Sequence, residues 1–274
     1  MDKAIFRCFG TRPGQGNPAQ VIENGPLAVE ERHAIARASG HSATVFLTPP
    51  DGPAPWVLDF YYPHARSPLC LHASLAAAHL LCSRSGDPVT VQTAMRGQML
   101  TLSHGTEGTF ASVRRQAVAP IGIPPHLPAQ LLGAPDLRLA SPPLLSSVGS
   151  PKLLLEVADR AALYALHPPL AEIVAWGKEH GVNGCYVYCR TGEQEYEGRN
   201  FNHLDPARED CATGVAAGAL SAWLGQGLVM LQGAVLGNPC RIVTRFEGRQ
   251  MHIGGATEVL AEPTDRPTLS SPIR

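Results

Sequence analysis

The chain has 274 residues, of which 44% are hydrophobic and 16% are charged, and its formal net charge is −1. This length is enough for one large domain or two ordinary domains with a full core. The near-neutral charge, without a cluster of Lys and Arg, argues against nucleic acid or an anionic membrane as a partner. No stretch has the long apolar run of a signal peptide or a membrane-spanning helix, so a cytoplasmic location is expected.

Short strands and one Ala-rich helix are predicted for the first half of the chain. Alternating or β-branched runs between Gly and Pro are typical of strands; they lie at 3–9, 19–22, 44–48, 56–62, 89–93, 98–103 and 110–114. Helical spacing predicts helices over 27–39 and 70–83. The second helix begins at Cys70 and stops before Gly86.

The second half is predicted to follow a segment rich in Pro, Leu and Ala. Its strands are predicted at 152–157, 184–190, 195–201, 241–246 and 250–254. Helices are predicted over 161–180, with a break at two prolines, and over 211–225. We therefore expect an N-terminal domain over 1–118, a C-terminal domain over 119–262 and a frayed or surface tail over 263–274.

The two halves resemble each other around two cysteines. Cys70 and Cys211 lie about half the chain length apart, and each is followed by a helix of very small residues. Such a helix has no amphipathic stripe and is expected to be buried on most sides. A sheet curled around a central helix meets that need, so an α+β fold of two pseudo-symmetric domains is predicted. The two helix starts would then face one cleft between the domains.

The cysteines themselves indicate neither disulfides nor a metal site. Seven cysteines, an odd number, and the absence of a C-x-x-C pair argue against a disulfide framework and structural zinc. No metal and no other cofactor is expected. Five of the cysteines are interpreted as ordinary structural residues, namely Cys8, Cys82, Cys185, Cys189 and Cys240. Cys70 and Cys211 differ, because a thiol at a helix start is expected to have a lowered pKa.

Five short motifs carry a family resemblance. They are Gly16-Asn17-Pro18-Ala19, Ser42-Ala43-Thr44-Val45-Phe46-Leu47, Cys70-Leu71-His72-Ala73-Ser74, Arg199-Asn200-Phe201 and Glu209-Asp210-Cys211-Ala212-Thr213-Gly214. In this order they resemble the PhzF-like phenazine-biosynthesis isomerase family, over nearly the whole chain. The resemblance implies the diaminopimelate-epimerase-like fold, in which each of two domains curls a sheet around a central helix.

The departures from the family pattern bear on the chemistry. The usual catalytic glutamate of the family falls at Ala43, which cannot move a proton. The glycine before the active-site histidine is Leu71, while the histidine remains as His72, and the proline after Asp210 is Cys211. Diaminopimelate epimerase and proline racemase, in the wider superfamily, carry a catalytic cysteine before each central helix. Cys70 and Cys211 match those two positions.

Three functional hypotheses follow. The first is a cofactor-independent racemase or epimerase acting at the α-carbon of an amino acid or related carboxylate, with Cys70 and Cys211 as a thiol and thiolate pair. The second is a PhzF-type isomerase that moves a proton within an unsaturated cyclic acid through Asp210 and His72. The third is a catalytically idle binding protein, suggested by Ala43. Asp210 could instead only anchor the helix.

Further residues are candidates for binding a small-molecule substrate. They are Asn17, Thr44, Ser74, Arg199, Thr213 and Gly214. Asn17 and Thr213 are equally typical of a turn and a helix cap. Arg199 could pair with a substrate carboxylate or be an ordinary strand arginine. The identity of the substrate is not readable, and the sequence leaves a homodimer open.

Overall fold

A computed structural model describes residues 1–49, 53, 55–201, 209–247 and 250–261. The predicted tail over 263–274 and Arg208, which precedes the second cysteine motif, lie outside the described residues. No helix in the described part is long and apolar enough to cross a membrane.

Sixteen strands are present in the described part of the chain. They are β1 (Asp2–Cys8), β2 (Asn17–Glu23), β3 (Ala43–Thr48), β4 (Trp56–Tyr61), β5 (Arg66–Ser67), β6 (Val89–Thr93), β7 (Met99–Gly105), β8 (Gly108–Val113), β9 (Leu144–Ser146), β10 (Lys152–Glu156), β11 (Cys185–Arg190), β12 (Glu195–Phe201), β13 (Val229–Gln232), β14 (Cys240–Glu247), β15 (Gln250–Gly255) and β16 (Thr257–Ala261). The α-helices are α1 (Val29–Ala38), α2 (Leu71–Ser85), α3 (Leu127–Leu131), α4 (Arg160–Tyr164), α5 (Leu170–His180) and α6 (Gly214–Leu224).

The strands form one continuous sheet that runs through both halves. Its order is β16-β1-β2-β3-β4-β6-β7-β8-β15-β14-β13-β12-β11-β10-β9, with β5 paired to β4. The halves are joined where β8 pairs antiparallel with β15, in a register that sets Ala111 opposite Ile253. The last strand, β16, returns to pair with β1. The division at residue 118 stays a prediction, since the sheet itself has no break there.

Each half of the sheet curls around one central helix. Helix α2 contacts both β16 and β8, which lie at opposite ends of the first half of the sheet. Helix α6 likewise contacts β15 and β9, at opposite ends of the second half. A helix can contact both ends only if the sheet bends around it, as the small-residue pattern predicted. Both helices end at a left-handed glycine, Gly86 and Gly225.

Shorter helices cover the outer surface of the second half. Helices α3, α4 and α5 contribute to a separate apolar cluster with β10 and β11. Successive side chains of β11 point to opposite faces of the sheet. Those of Cys185, Val187 and Cys189 belong to this outer cluster, while Tyr186 and Tyr188 face the core around the central helices. The packing of Cys185 and Cys189 is therefore that of small apolar residues.

An ionic cluster attaches α1 to the outer face of the first half. Asp59 of β4 is buried and accepts hydrogen bonds from Arg32 of α1 and from Arg66, each at 2.8 Å. The Arg32 guanidinium also lies over the Phe46 ring, 5.1 Å from its centroid. A buried carboxylate is tolerated here because two guanidinium groups pair with it.

Because α6 packs closely against the sheet, we expect a side chain at position Gly218 to destabilise the fold. A methyl group on Gly218 would lie 2.2 Å from Cδ1 of Ile253 and 3.0 Å from Cγ2 of Val148, and both neighbours are fully buried. We expect Gly218→Ala to lower the free energy of unfolding by about 1–3 kcal/mol through overpacking, although alanine is the better helix former.

Urea unfolding of Gly218→Ala beside Gly122→Ala tests this expectation. No atom lies within 4 Å of the position that a methyl group on Gly122 would take. The Gly122→Ala control should change the free energy of unfolding by less than about 0.5 kcal/mol. Equal effects of the two substitutions would contradict the close packing of α6.

Candidate active site

The starts of α2 and α6 lie directly against each other. Leu71 is the first residue of α2 and Gly214 the first of α6. A methyl group on Gly214 would lie 3.0 Å from Cβ of Leu71 and 3.1 Å from the Phe9 ring. The side chain of Leu71, which is 2% exposed, therefore fills the space between the two helix starts. Because Gly214 has no side chain, the backbone of α6 can lie close to Leu71 at this junction.

Asp210 lies beside this junction and is held from both halves of the chain. Asn17, at the start of β2, donates from Nδ2 to Oδ1 of Asp210 at 2.7 Å. Thr213, the N-cap of α6, donates from Oγ1 to Oδ2 at 2.6 Å. Gln232, at the end of β13, donates from Nε2 to the main-chain oxygen of Asp210 at 2.7 Å. Three predicted site residues, Asn17, Asp210 and Thr213, are thus brought together.

His72 is linked to the same group through Ser42. The Oγ atom of Ser42 donates to Oδ1 of Asn17 at 2.6 Å and lies 3.3 Å from Nε2 of His72. The other ring nitrogen, Nδ1, lies 3.3 Å from Sγ of Cys70. A neutral imidazole with hydrogen on Nε2 satisfies these contacts, because Nδ1 can then accept from the thiol. A chain of hydrogen bonds runs from Cys70 through His72, Ser42 and Asn17 to Asp210.

Burial dominates the electrostatics of this chain. It lowers the pKa of His72 from its ordinary 6.5 to about 4, so the imidazole is neutral at pH 7. Asp210 keeps some accessible surface but lies deep in the protein, and burial raises the pKa of its carboxyl group. The hydrogen bonds from Thr213 and Asn17 and the charge of Lys152 act in the opposite direction on the pKa of Asp210.

The two cysteine thiols have raised rather than lowered pKa values. Burial raises the pKa of Cys70 to about 12, and this outweighs the backbone N–H groups of His72 and Ala73, which lower it. A hydrogen bond to Cys240 and burial raise the pKa of Cys211. The expectation that the helix starts lower these pKa values is wrong, because burial is the largest effect on the pKa of Cys70 and the hydrogen bond to Cys240 is the largest effect on the pKa of Cys211.

The neighbours of the two thiols also differ. Cys70 is fully buried and hydrogen-bonds with Tyr62 and His72. Cys211 is half-buried, and its thiol neighbour is Cys240 at the start of β14. No hydrogen bond joins Cys70 to Cys211 among the described residues, although both lie at the same apolar cluster. Their pairing as two bases stays a prediction.

Three predicted substrate-binding residues have other surroundings. Thr44 is fully buried in β3, and its hydroxyl has no hydrogen-bond partner among the described residues. Ser74 is also fully buried and donates to the carbonyl oxygen of Cys70, one turn earlier in α2. Arg199 is buried and engaged by protein groups on three of its nitrogens. A contact of any of the three with substrate stays a prediction.

The partners of Arg199 show what it does in the structure. Its Nε and Nη2 donate to the Glu209 carboxylate at 3.0 and 2.7 Å. Its Nη1 donates to the carbonyl oxygens of Leu163 and Leu166 at 2.9 and 2.8 Å. Arg199 thus fixes Glu209, the residue before Asp210, to the end of α4 and the turn after it.

Four polar residues of this region were not singled out from the sequence, namely Ser42, Tyr62, Lys152 and Gln232. Ser42 could have been found, because it begins one of the motifs that carry the resemblance. Lys152 begins β10 and Gln232 ends β13, each in an apolar run. Neither position therefore gives a local sequence signal of a functional site. Ala43 is buried in β3, one residue from Ser42. Among the residues that the structure describes, no three His, Cys, Asp or Glu side chains are grouped to hold a metal ion.

Sequence comparison places the chain among known isomerases. A family model described as phenazine biosynthesis-like protein matches residues 6–259. The chain is 28% identical over 232 residues to the uncharacterized isomerase YddE of Escherichia coli (strain K12), covering 79% of this chain and 76% of the relative. It is 27% identical over 256 residues to the trans-2,3-dihydro-3-hydroxyanthranilate isomerase of Pseudomonas aeruginosa, covering 89% and 90% of the two chains.

Solved structures confirm the predicted fold class. A predicted epimerase of Pseudomonas aeruginosa, PA4716, has a TM-score of 0.77 and 26% identity, covering 97% of this chain and 99% of the other. A hydroxyproline epimerase of Agrobacterium vitis has a TM-score of 0.60 and 13% identity, covering 97% and 93%. At 13% identity, the similarity to the hydroxyproline epimerase shows a shared fold alone. Together they support the α+β, epimerase-like fold expected from the sequence.

The lowered pKa of His72 predicts a pH-dependent loss of stability. The unfolded chain takes up the imidazole proton near pH 6.5, whereas the folded protein does so near pH 4. The unfolded state therefore binds more protons in this window, and stability falls as the pH drops through it. Between about pH 7.5 and pH 5, His72 should account for a loss of roughly 2 kcal/mol.

Urea unfolding at these two pH values measures the effect. His72→Gln should lose roughly 2 kcal/mol less than the unchanged protein between them. The control is His126→Gln, because His126 is exposed; its loss should equal that of the unchanged protein. An unchanged loss in His72→Gln would mean that His72 is protonated as readily in the folded protein as in the unfolded chain.

Proposed function

The chain belongs to the phenazine biosynthesis-like protein family and is an isomerase, and on that premise we propose that it moves a proton within an unsaturated cyclic acid. In this proposal Asp210 removes a proton from one ring carbon and delivers a proton to another. His72 donates a hydrogen bond to the charge that develops between these steps. The substrate class follows the relative named trans-2,3-dihydro-3-hydroxyanthranilate isomerase.

The observation that carries the proposal is the hydrogen-bond chain from Asp210 to His72. Asn17 and Thr213 each donate to one oxygen of the Asp210 carboxylate. A carboxylate oxygen has two lone pairs, so each oxygen can still accept a substrate proton. Burial raises the pKa of Asp210, which makes it a stronger base than an exposed aspartate.

The neutral state of His72 defines its role. A neutral imidazole is too weak an acid to give up its remaining ring proton, so His72 is assigned to hydrogen bonding. It can turn the N–H that faces Ser42 toward an oxygen of the substrate, where negative charge accumulates as the ring proton leaves. Asn17 cannot pass a proton from Ser42 to Asp210, because its amide oxygen only accepts and its amide nitrogen only donates. The chain therefore orients Asp210 and His72.

One base is enough for the proton balance of this reaction. Asp210 takes the proton as the C–H electron pair enters the conjugated ring, the carboxylic acid exchanges that proton with solvent, and it then gives a proton to a different ring carbon. The double bond has moved, and Asp210 is again a carboxylate. Two catalytic thiols are unnecessary in this scheme, and no cofactor takes part in it.

The thiol-pair racemase remains a second candidate. It is favoured by the position of Cys70 as the N-cap of α2 and of Cys211 two residues before the N-cap of α6. The raised pKa values of both thiols argue against it, and so does the hydrogen bond between Cys211 and Cys240. We therefore rank Asp210 above the cysteines as the base.

Solvent deuterium exchange distinguishes the candidates. We incubate the protein in D₂O with trans-2,3-dihydro-3-hydroxyanthranilate and with a panel of amino acids, and measure deuterium incorporation by mass spectrometry. Asp210→Asn should lower exchange of the cyclic acid at least about 100-fold, because the base is lost. Cys70→Ser and Cys211→Ser should remain within about threefold of the unchanged protein, since neither thiol takes the proton.

The opposite pattern would overturn the proposal. Exchange of an amino-acid α-proton that is lost in both cysteine variants and kept in Asp210→Asn would establish the thiol pair. Absence of exchange with every compound in the unchanged protein would favour the idle binding protein. Asp136→Asn serves as the matched control, because Asp136 lies in the exposed segment before β9 and contacts none of these residues.

A further inference from the structure

Lys152 is a buried ammonium group that the proposed reaction does not use. It is the first residue of β10 and is 2% exposed. Only three of the 22 Lys and Arg residues in the chain are lysines, namely Lys3, Lys152 and Lys178. Its Nζ donates to Oδ1 of Asn200 at 3.0 Å. A lysine is almost never fully buried unless its charge is compensated.

In the described part of the chain, the two buried arginines have direct ionic partners, whereas Lys152 has none. Arg32 lies 2.8 Å from the carboxylate of Asp59, and Arg199 lies 2.7 Å from that of Glu209. No carboxylate oxygen of a described residue lies within 4 Å of the Lys152 ammonium. Among the described residues, a compensating charge can therefore act only from a greater distance, across a medium that screens it weakly.

Asn200 connects Lys152 to Asp210. Its side-chain oxygen accepts from Lys152, and its main-chain oxygen accepts from the N–H of Asp210 at 3.4 Å. Its side-chain nitrogen is buried without a hydrogen-bond partner. Lys152 and Asp210 are thus attached to the same residue of β12, one a base and the other an acid, in the protein interior.

The other titratable groups near this pair come from several elements. Those that interact electrostatically with Asp210 are Cys70 before α2, Tyr62 after β4, Tyr186 of β11 and Cys211 before α6. Cys185 of β11 interacts with Lys152. All these groups are neutral at pH 7, because burial raises the pKa of Cys70, Cys185, Tyr62 and Tyr186, and a hydrogen bond to Cys240 together with burial raises the pKa of Cys211. No other ion is therefore present among these groups, and the charge of Lys152 lowers the pKa of Asp210.

We propose that Lys152 is the buried counter-charge of Asp210, and that it acts as a positioning residue by keeping this carboxyl group ionised as a base. The catalytic part of this inference rests on the proposed function. An ammonium so placed stabilises the carboxylate without contacting the substrate. It also attracts the loop of Asp210 toward β12 through Asn200. Burial lowers the pKa of Lys152 to about 8, and the charge of Asp210 opposes that change.

The inference has a reciprocal consequence that can be measured without any substrate. If the two charges stabilise each other, loss of either must change the pKa of the other by the same amount. Lys152→Met should raise the pKa of Asp210 by about one unit, a tenfold gain in proton affinity. Asp210→Asn should lower the pKa of Lys152 by about one unit.

Carbon-13 NMR titration gives both values. Labelling at lysine Cε yields three signals, and the signal absent from Lys152→Met belongs to Lys152. Labelling at aspartate Cγ follows Asp210, whose signal is absent from Asp210→Asn. The control is Lys178→Met, which removes an exposed lysine of α5 and should leave the pKa of Asp210 unchanged. Lys152→Arg should keep the pKa of Asp210 within about 0.3 units, since the positive charge remains.

Either titration alone can overturn the inference, so it stays testable if one variant does not fold. An unchanged pKa of Asp210 in Lys152→Met, or of Lys152 in Asp210→Asn, would exclude the pairing. Deuterium exchange separates this result from the proposed function. If the pKa changes are reciprocal but Asp210→Asn still exchanges deuterium normally, the inference of a charge pair holds. In that case neither Asp210 nor Lys152 has a role in the reaction, and the proposed function is wrong.

Discussion

The hydrogen bonds to the Asp210 carboxylate join parts of the chain that are far apart in sequence. Asn17 comes from the first hairpin and Thr213 from the start of the second central helix, and each binds a different oxygen. Such a carboxylate can lie deep in the protein because its charge is shared among donors and compensated from a distance. The meeting of the two halves therefore fixes the orientation of the proposed base. The two helix starts define the site, and Leu71 fills the space between them.

The surrounding polar groups then divide into those that hold Asp210 and those that face a substrate. Arg199 fixes the preceding residue, Glu209, through a bidentate ion pair. Gln232 holds the main chain of Asp210 itself. Ser42 and His72 extend the hydrogen-bond chain across the first half. The donors to Asp210 are in place before a substrate binds, which is the condition for electrostatic stabilisation by preoriented groups, whereas His72 must turn its N–H from Ser42 to the substrate.

Much of the fold was predictable because it depends on local patterns. The small residues of α2 and α6 predicted two buried helices inside curled sheets, and the motifs around Asp210 and His72 predicted the family. The pKa values of the cysteines were not predictable, because a helix start is a local feature whereas burial depends on the whole structure. Lys152 was missed for a similar reason. A lysine that begins a run of leucines is typical of a strand end at the surface, and only the tertiary packing buries it.

A crystal structure with 3-hydroxyanthranilate bound tests most directly whether Asp210 is the base at the centre of this site. This stable aromatic acid shares the carbon skeleton of the compound in the name of the Pseudomonas aeruginosa relative. We expect a ring carbon within about 3.5 Å of the Asp210 carboxylate, with the His72 imidazole directed at a substituent oxygen. A ring bound against Cys211 and Cys240, with Asp210 out of reach, would contradict it.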